Sequence, residues 1–374
     1  MSTGICRWGI MGTAGIAGKN WRAIALSGNG RVTAVASRNL VGAERFIDRC
    51  QQRTPVADRP AAVGDYQALL DRDDVDAVYI PLPTALRHPW VIRAAKAGKH
   101  VLCEKPIASS ETEAQEMIAA CREAGVQFMD GVMFMHSRRL EGLRDTIDDP
   151  QRVGRLRRIQ THFSFSSDTQ FQTSNIRVMR QLEPYGCLGD LGWYTVRMSL
   201  WVMRGALPRQ VSGRILTELC GQGSDGPVPG EFSGELFFDG GVSAAFYNSF
   251  LTQNQQLAVI SGDRGYVMLD DFVLPWMGAE LAWEDFQHRF DGEDDRFFMG
   301  RHATRHSVHE YSNGAPGAQE VNMIRRFGEI VLHGQVEPDW PRIAQSTQRV
   351  LDALLASAHR GGEIVPVDQS IIVV

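Results

Sequence analysis

The sequence predicts a two-part α/β chain: a doubly wound parallel-sheet domain, then an α+β domain built on a large, mostly antiparallel open sheet. Three observations carry that expectation. Over residues 1–130, short apolar strands alternate strictly with helical segments, the rhythm of parallel β-α-β units. Beyond that point strands follow one another through tight turns such as Asp239-Gly240-Gly241 and Gly262-Asp263-Arg264-Gly265, connections that only antiparallel neighbours allow. With 374 residues the chain is also too long for one small core, so domains are assigned to 1–130 and 131–374.

Composition sets limits. Charged residues make up 22 % of the chain and the formal net charge is −5, which offers no basic surface to nucleic acid or to anionic lipid. No apolar run reaches bilayer length and the amino terminus enters a strand almost at once, so a cytoplasmic chain without signal peptide or membrane segment is expected. The cysteines include no C-x-x-C pair. Cys103 and Cys121, in apolar contexts, read as buried thiols rather than ligands or bridges.

Arg7 to Met11 forms the first strand, and Gly12-Thr13-Ala14-Gly15-Ile16-Ala17 turns it into a helix through Ala25-Leu26. This is the G-x-G-x-x-A turn of a Rossmann dinucleotide site, with Ala14 in the second glycine position. Gly12 permits the turn, a small residue at 14 lets backbone approach a pyrophosphate, Ala17 lets helix pack on strand, and the helix amino terminus attracts phosphate. Such turns also occur in α/β proteins that bind no dinucleotide, so the motif alone is weak. The second strand, Arg31 to Ala36, ends in Ser37-Arg38, where an NAD site places an acid for the ribose 2′-hydroxyl. A hydroxyl and a guanidinium suit a 2′-phosphate instead. NADP is therefore the expected cofactor, with NAD as the alternative.

A helix from Leu40 to Gln51 and an apolar stretch to Leu70 lead to the strand Ala77 to Ile80, which runs into Pro81-Leu82-Pro83-Thr84. Two prolines hold the chain extended just past a strand end, where a nicotinamide ribose would lie. The helix from His88 to Ala97 follows, and His88 at its start is assigned to the cofactor site. It leads to the strand His100 to Cys103 and to Glu104-Lys105-Pro106. Ligands of parallel sheets bind past the carboxyl ends of strands, and Lys105 stands at such an end with Pro106 fixing the backbone. The plainer alternative is an exposed Glu104-Lys105 pair that merely closes a strand. Ser110 and Glu113 form a capping box for the next helix, and Val126 to Met129 adds the last strand of this domain.

In the second half, Ile159, Thr161, Phe163 and Phe165 alternate with Arg158, Gln160, His162 and Ser164, the mark of a half-buried strand. Similar strands are expected at Gln210 to Leu219, Glu231 to Phe238, Val242 to Phe250, Gln256 to Ser261 and Gly265 to Leu269. Residues 283–313 are polar and aperiodic and are expected to form a long loop or irregular excursion. His302, His306 and His309 there have helical spacing, but nothing completes a ligand shell, so no metal is expected. Two helices close the chain, Ala318 to Leu332 and Arg342 to His359, the second placed to pack back on the first domain.

One helix, Tyr185 to Arg197, interrupts the sheet strands. Asp190 and Tyr194 are four apart and share a face, with Arg197 one turn on. A phenol beside a carboxylate and cations can relay a proton. Alternatively, Asp190 complements the helix dipole and Tyr194 is a core aromatic.

Arg7-Trp8-Gly9-Ile10 with Gly12 to Ala17, Val35-Ala36-Ser37-Arg38, Pro81-Leu82-Pro83-Thr84, Ala97-Gly98-Lys99-His100-Val101 with Glu104-Lys105-Pro106, and Gly189-Asp190-Leu191-Gly192-Trp193-Tyr194 occur in one order. That order resembles the glucose-fructose oxidoreductase, inositol dehydrogenase and MocA (Gfo/Idh/MocA) family over the whole chain, and is most similar to NADP-linked members such as dihydrodiol and aldose dehydrogenases. Met129-Asp130-Gly131-Val132-Met133-Phe134-Met135-His136 and Asn175-Ile176-Arg177-Val178 look like relatives in plants and bacteria. The resemblance implies that Lys105 is the acid-base residue, with Glu104 beside it in the cofactor site. It places Tyr194 where the family carries its tyrosine and Asp190 one turn before it. Arg177, Trp193 and Arg197 are candidate substrate contacts. Ala14 departs from the usual second glycine, and no Asp-x-x-x-His pair is present, which puts a myo-inositol substrate in doubt.

The reaction this implies is reversible hydride transfer between NADP and a secondary alcohol or hemiacetal carbon of a sugar, polyol or related cyclic diol. Lys105 would take or give the hydroxyl proton, directly or through Tyr194. Partial burial and a positive nicotinamide ring are expected to lower the Lys105 pKa toward neutrality. One rival is an NADP-binding sensor or partner protein without turnover, disfavoured by the presence of both Lys105 and Tyr194. The other is glycoside cleavage through transient oxidation with bound NAD, disfavoured by the NADP preference and the lack of a glycosidase carboxylate pair. An outer sheet face that keeps Phe, Val and Tyr calls for a cover, so a homodimer or homotetramer joined through the second domain is expected.

Overall fold

A computed structural model describes residues 4–293 and 295–374. Six parallel strands, β1 (Cys6–Met11), β2 (Gly30–Ala36), β3 (Ala61–Val63), β4 (Ala77–Ile80), β5 (His100–Cys103) and β6 (Phe128–Asp130), lie in the order β3-β2-β1-β4-β5-β6. Helices α1 (Gly15–Leu26), α2 (Leu40–Arg53), α3 (Tyr66–Leu70), α4 (Arg87–Lys96) and α5 (Glu111–Glu123) connect them. This is the doubly wound order, whose chain direction reverses between β1 and β4. Strand β3 escapes sequence reading because three residues are too few to show a period. Ser110 caps α5 by accepting from the Glu113 amide at 3.2 Å, while Glu113 reaches back to the Ser109 amide at 2.9 Å.

After helix α6 (Arg139–Asp148) the chain builds a nine-stranded sheet. It contains β7 (Leu156–Ser164), followed by α7 (Thr169–Ser174), α8 (Gly186–Asp190) and α9 (Gly192–Val202), then β8 (Gln210–Leu219), β9 (Val228–Phe237), β10 (Ser243–Ser249), β11 (Gln255–Gly262), β12 (Tyr266–Leu269) and β13 (Leu281–Phe286). A hairpin, β14 (Arg289–Glu293) and β15 (Arg296–Gly300), stands apart from the sheet, which continues in β16 (Ala303–Val308). Helices α10 (Gln319–His333) and α11 (Asp339–His359) and the short strand β17 (Val365–Pro366) complete the chain. The order is β16-β13-β12-β11-β7-β10-β9-β8-β17, antiparallel except for the parallel β7–β10 pair.

The excursion expected over 283–313 is thus a correction: most of it is strand. Leu281, Trp283 and Asp285 of β13 are all buried, so the alternation is real, but one inward position is an acid. The Asp285 carboxylate is satisfied by Arg152 at 2.7 Å and His306 at 2.5 Å. Edge strand β16 is mostly exposed, and the β14–β15 hairpin leaves Phe290, Phe297, Phe298 and Met299 in solvent. Neither has a buried face to impose a two-residue period. His302 precedes β16, His306 lies on it and His309 follows it, so the three histidines share no helix face.

Two cores hold the layers. On one face of the parallel sheet, Trp8, Trp21, Phe46, Ile324 and Phe327 pack together, with the Trp8 and Phe327 rings 5.1 Å apart. Burying each such side chain is worth about 1.5–3 kcal/mol. Helix α10, late in sequence, therefore belongs spatially to the first sheet. The other core runs continuously from β4 and β5 through α9 and α11 into the large sheet. Helix α11 touches β8, α9, α5 and β6, so it joins the two layers rather than covering one. The described cysteines are all free, and no described helix is long and apolar enough to cross a membrane.

Candidate active site

The reversal between β1 and β4 opens a crevice at the strands' carboxyl ends, and the turn after β1 forms its floor. Gly12 sits at φ +117°, and a Cβ there would come 3.1 Å from Leu82 Cδ2 in the loop after β4. Only glycine combines that angle with that approach. Ala14, Gly15 and Ile16 line the cleft, and Ala17 is buried beneath them. No side chain caps α1 and no acid occupies its first turn, so its positive end faces the cleft uncompensated. The Gly12 amide donates to Ala36 O at 2.9 Å, which brings Ser37 and Arg38 alongside the turn. Ser37 is buried and Arg38 is exposed, with no ion-pair partner among the described residues. These features fit a dinucleotide with a 2′-phosphate.

A cavity of about 700 Å³ extends from this turn to the second domain. Pro81 and Leu82 form one wall, and buried Arg87 braces it. Arg87 Nε donates to Leu82 O at 2.7 Å, and Nη1 donates to Glu104 O at 2.9 Å and to Pro106 O. One guanidinium thereby ties the loops after β4 and β5. Glu104 turns inward and accepts from the Tyr79 hydroxyl at 2.6 Å. Thr84 is fully buried, its hydroxyl donating to Glu183 Oε2 at 2.5 Å and its amide to Glu183 Oε1 at 3.0 Å. It faces the second domain's loop rather than the cavity.

Lys105 projects across the cavity. Its ammonium lies 2.6 Å from Asp190 Oδ1 and 2.7 Å from Asp190 O, and 4.7 Å from the centroid of the Tyr194 ring. Arg177 Nε meets the other carboxylate oxygen, Asp190 Oδ2, at 2.7 Å. Gly189 makes this possible: a Cβ there would lie 2.8 Å from Tyr185 Cβ and 3.2 Å from Pro106 Cγ. Burial works against the Asp190 charge, but the two cations overcome it and hold the carboxyl down at about 2. Burial is the largest single influence on Lys105 and pulls its pKa down, yet the Asp190 charge, the Tyr194 phenol and the hydrogen bond to Asp190 together outweigh it and the net shift is upward. The expected lowering toward neutrality is thus a correction, because burial acts alone in that direction apart from Arg177, while several groups of the site favour the ammonium. Tyr194 is shifted upward by burial, and its hydroxyl has no hydrogen-bond partner among the described residues.

Besides Thr84, three expected site residues lie elsewhere. Trp193 Nε1 donates to Asp130 Oδ2 at 2.8 Å, and Arg197 pairs with the same oxygen at 2.6 Å while its Nε reaches Thr347 at 2.8 Å. All four members of this network are shut off from solvent, so Trp193 and Arg197 do not reach the cavity. Both sit on α9 with Tyr194 but turn toward the end of β6, where Asp130 supplies a buried partner for each. The segment Tyr185 to Arg197, expected as one helix, is divided at Leu191 into α8 and α9. His88 points to α5, where Nε2 meets Glu116 Oε2 at 2.6 Å, and it does not line the cavity. Sequence reading missed Arg87 and Glu183, whose roles consist of contacts across loops. It also missed Lys19 on α1, which lines the cavity and donates to the Met133 sulfur at 2.8 Å. A lysine one turn into the fingerprint helix was the available signal.

A doubly wound nucleotide-type sheet that presents a lysine, a carboxylate and a tyrosine to one interdomain cavity defines a nicotinamide-dependent oxidoreductase. Comparison with known proteins agrees. Residues 6–132 match the model of the Gfo/Idh/MocA oxidoreductase family, NAD-binding Rossmann fold, and residues 143–268 match the Gfo/Idh/MocA C-terminal domain. The dTDP-3,4-didehydro-2,6-dideoxy-alpha-D-glucose 3-reductase of Actinomadura kijaniata is 37 % identical over 371 residues, covering 94 % of this chain and 96 % of the relative. D-xylose 1-dehydrogenase (NADP(+)) 2 of Haloferax volcanii is 32 % identical, covering 74 % of this chain and 80 % of the relative. The crystal structure of KijD10, a 3-ketoreductase from Actinomadura kijaniata in complex with NADP and TDP-benzene, superposes with a TM-score of 0.78 at 27 % identity, covering 94 % of this chain and 98 % of that one. The chain belongs to the Gfo/Idh/MocA family and is an NAD(P)-dependent oxidoreductase.

Proposed function

We propose that this enzyme transfers hydride reversibly between NADP and a secondary alcohol or hemiacetal carbon, or the matching carbonyl, of a sugar, polyol or related cyclic diol. The observation that carries the reading is the Lys105 ammonium over the Tyr194 ring, 4.7 Å from its centroid, with both side chains lining the cavity that runs from the nucleotide turn. Support for NADP and for a sugar comes from relatives that are a sugar 3-reductase and an NADP-dependent xylose dehydrogenase. A bound nicotinamide supplies or accepts the hydride. Gly12, Thr13, Ala14, Gly15, Ile16 and Ala17 would seat its pyrophosphate, Ser37 and Arg38 its 2′-phosphate, and Pro81, Leu82 and Glu104 the ribose on the reacting side.

In the reducing direction Lys105 and Tyr194 donate to the substrate carbonyl oxygen, and one of their protons passes to it as the carbon gains hydride. In the oxidising direction the hydroxyl proton leaves to the same pair. Because Asp190 keeps Lys105 charged, reduction is ready at neutral pH, whereas oxidation needs the ammonium to give up its proton first. Asp190 is a positioning and charge-setting residue. We assign residues 1–130 with α10 to nucleotide binding and the remainder to substrate binding and assembly. The outer face of the large sheet joins a homodimer or homotetramer in the cytoplasm. Following nicotinamide absorbance over aldoses, polyols, dihydrodiols and keto sugars with both cofactors tests the reading; no turnover with any of them would refute it.

A further inference from the structure

The cavity wall opposite the nucleotide turn has an imbalance that the hydride chemistry does not use. Both oxygens of Asp190 are taken, one by Lys105 and one by Arg177. Both oxygens of Glu183, another carboxylate of this wall, are turned to Thr84. Asn175 Oδ1 accepts from the Arg177 amide at 3.0 Å, while the Ser174 hydroxyl donates to Gln170 O at 2.8 Å. The carboxylates of Asp190 and Glu183 and the Asn175 carbonyl, the stronger acceptors on this wall, are therefore engaged within the protein. The donors are not. Arg177 uses only Nε, on Asp190, and its Nη1 and Nη2 have no partner among the described residues, although its side chain is 41 % exposed to the cavity. A neutral sugar brings hydroxyls that both donate and accept, so a wall with free donors and occupied acceptors suits it poorly. A carboxylate only accepts, and the planar two-nitrogen edge of a guanidinium matches its two oxygens.

We infer that the substrate is a sugar acid, its carboxylate held by the free Nη1–Nη2 edge of Arg177 while the reacting oxygen meets Lys105 and Tyr194. This deepens the function proposed above and rests on it. Lys105 and Arg177 grip opposite oxygens of one carboxylate, at 2.6 and 2.7 Å, so a single small molecule can touch both. The hydroxyl or carbonyl carbon then lies adjacent to the carboxylate-bearing carbon or one further on. A single planar fork fits the single charge of a carboxylate better than the double charge of a phosphate ester.

The test uses the full-length enzyme with NADP and matched pairs: D-glucose with D-glucuronate, D-galactose with D-galacturonate, and glucose 6-phosphate as the phosphate arm. The expected result is kcat/KM at least about tenfold higher for an acid than for its neutral partner, the usual scale of one charge-assisted pair. Arg177→Gln should remove that advantage mainly through KM, and Arg177→Lys should restore part of it, a pattern that loss of folding would not produce. Equal or better turnover of the neutral sugars, or preference for the phosphate ester, overturns the inference and leaves the oxidoreductase reading intact. Absence of nicotinamide turnover with every sugar counts against that reading instead. Calorimetric binding of D-glucuronate and D-glucose to the NADP-loaded protein then decides the site: tighter, Arg177-dependent binding of the acid supports it, and equal or absent binding of the acid overturns it.

Discussion

Lys105 Nζ and Asp190 Oδ1 stand 2.6 Å apart although 85 residues separate them in the chain, and both side chains are nearly closed to solvent. The pair joins the end of β5 to the end of α8, and so joins the nucleotide sheet to the second domain. It also sets the charge with which the enzyme meets its substrate.

Replacing Lys105 by Met keeps the stem and removes the proton carrier. Turnover should fall by roughly 10²–10⁴-fold, the usual worth of a positioned general acid-base group. NADPH binding, followed by fluorescence titration, should change by no more than a few-fold. Comparable rates in this variant would rule out the assignment.

Tyr194→Phe preserves the ring under the Lys105 ammonium and deletes only the unpartnered hydroxyl. The expected loss is about 10²-fold in kcat with little change in KM. A fall in KM affinity alone would make Tyr194 a binding surface rather than a proton donor.

The pH dependence follows from the sign of the Lys105 shift. Asp190 raises its pKa against burial, so in the oxidising direction activity should climb through the alkaline range as the ammonium loses its proton. In Asp190→Asn the main opposition to burial is removed, the pKa falls, and that rising limb should move to lower pH, while kcat drops roughly 10–100-fold from lost positioning. A limb that stayed in place would show that another group titrates.

Arg38 is exposed and has no ion-pair partner among the described residues, so Arg38→Ala should fold normally. Its kcat/KM should fall about 10–100-fold with NADP and stay within a few-fold with NAD. Equal losses with both cofactors would place the 2′-phosphate elsewhere.

Asp130→Ala leaves Arg197 buried without its counter-charge. Denaturant unfolding should show a loss of about 3–5 kcal/mol, the scale for breaking a buried ion pair. A substrate-binding role for Arg197 would instead appear as a raised KM at unchanged stability.

Much of the site was legible as local pattern. The turn Gly12 to Ala17, the loop Pro81 to Thr84 and the Glu104-Lys105-Pro106 corner each lie where a strand period ends, and parallel strands put all such ends on one edge. That is why linear order alone marked the cleft, its nucleotide and Lys105. The β13–β16 region was illegible because an inward acid, an exposed edge strand and a solvated hairpin carry no burial period. Trp193 and Arg197 were misplaced because their buried partner, Asp130, lies on β6 more than sixty residues away and residue spacing on α9 does not show it.

By itself, then, the sequence determined the two-part architecture and the strand ends at which ligands bind, since both follow from short-range periodicity and backbone preference. Only the tertiary structure decided that Asp190 faces Lys105, that Arg197 turns inward to Asp130, and that Lys105 is held charged rather than poised near neutrality. Those outcomes depend on distances between groups far apart in the chain, and electrostatic energies change steeply over such distances in a poorly solvated cleft.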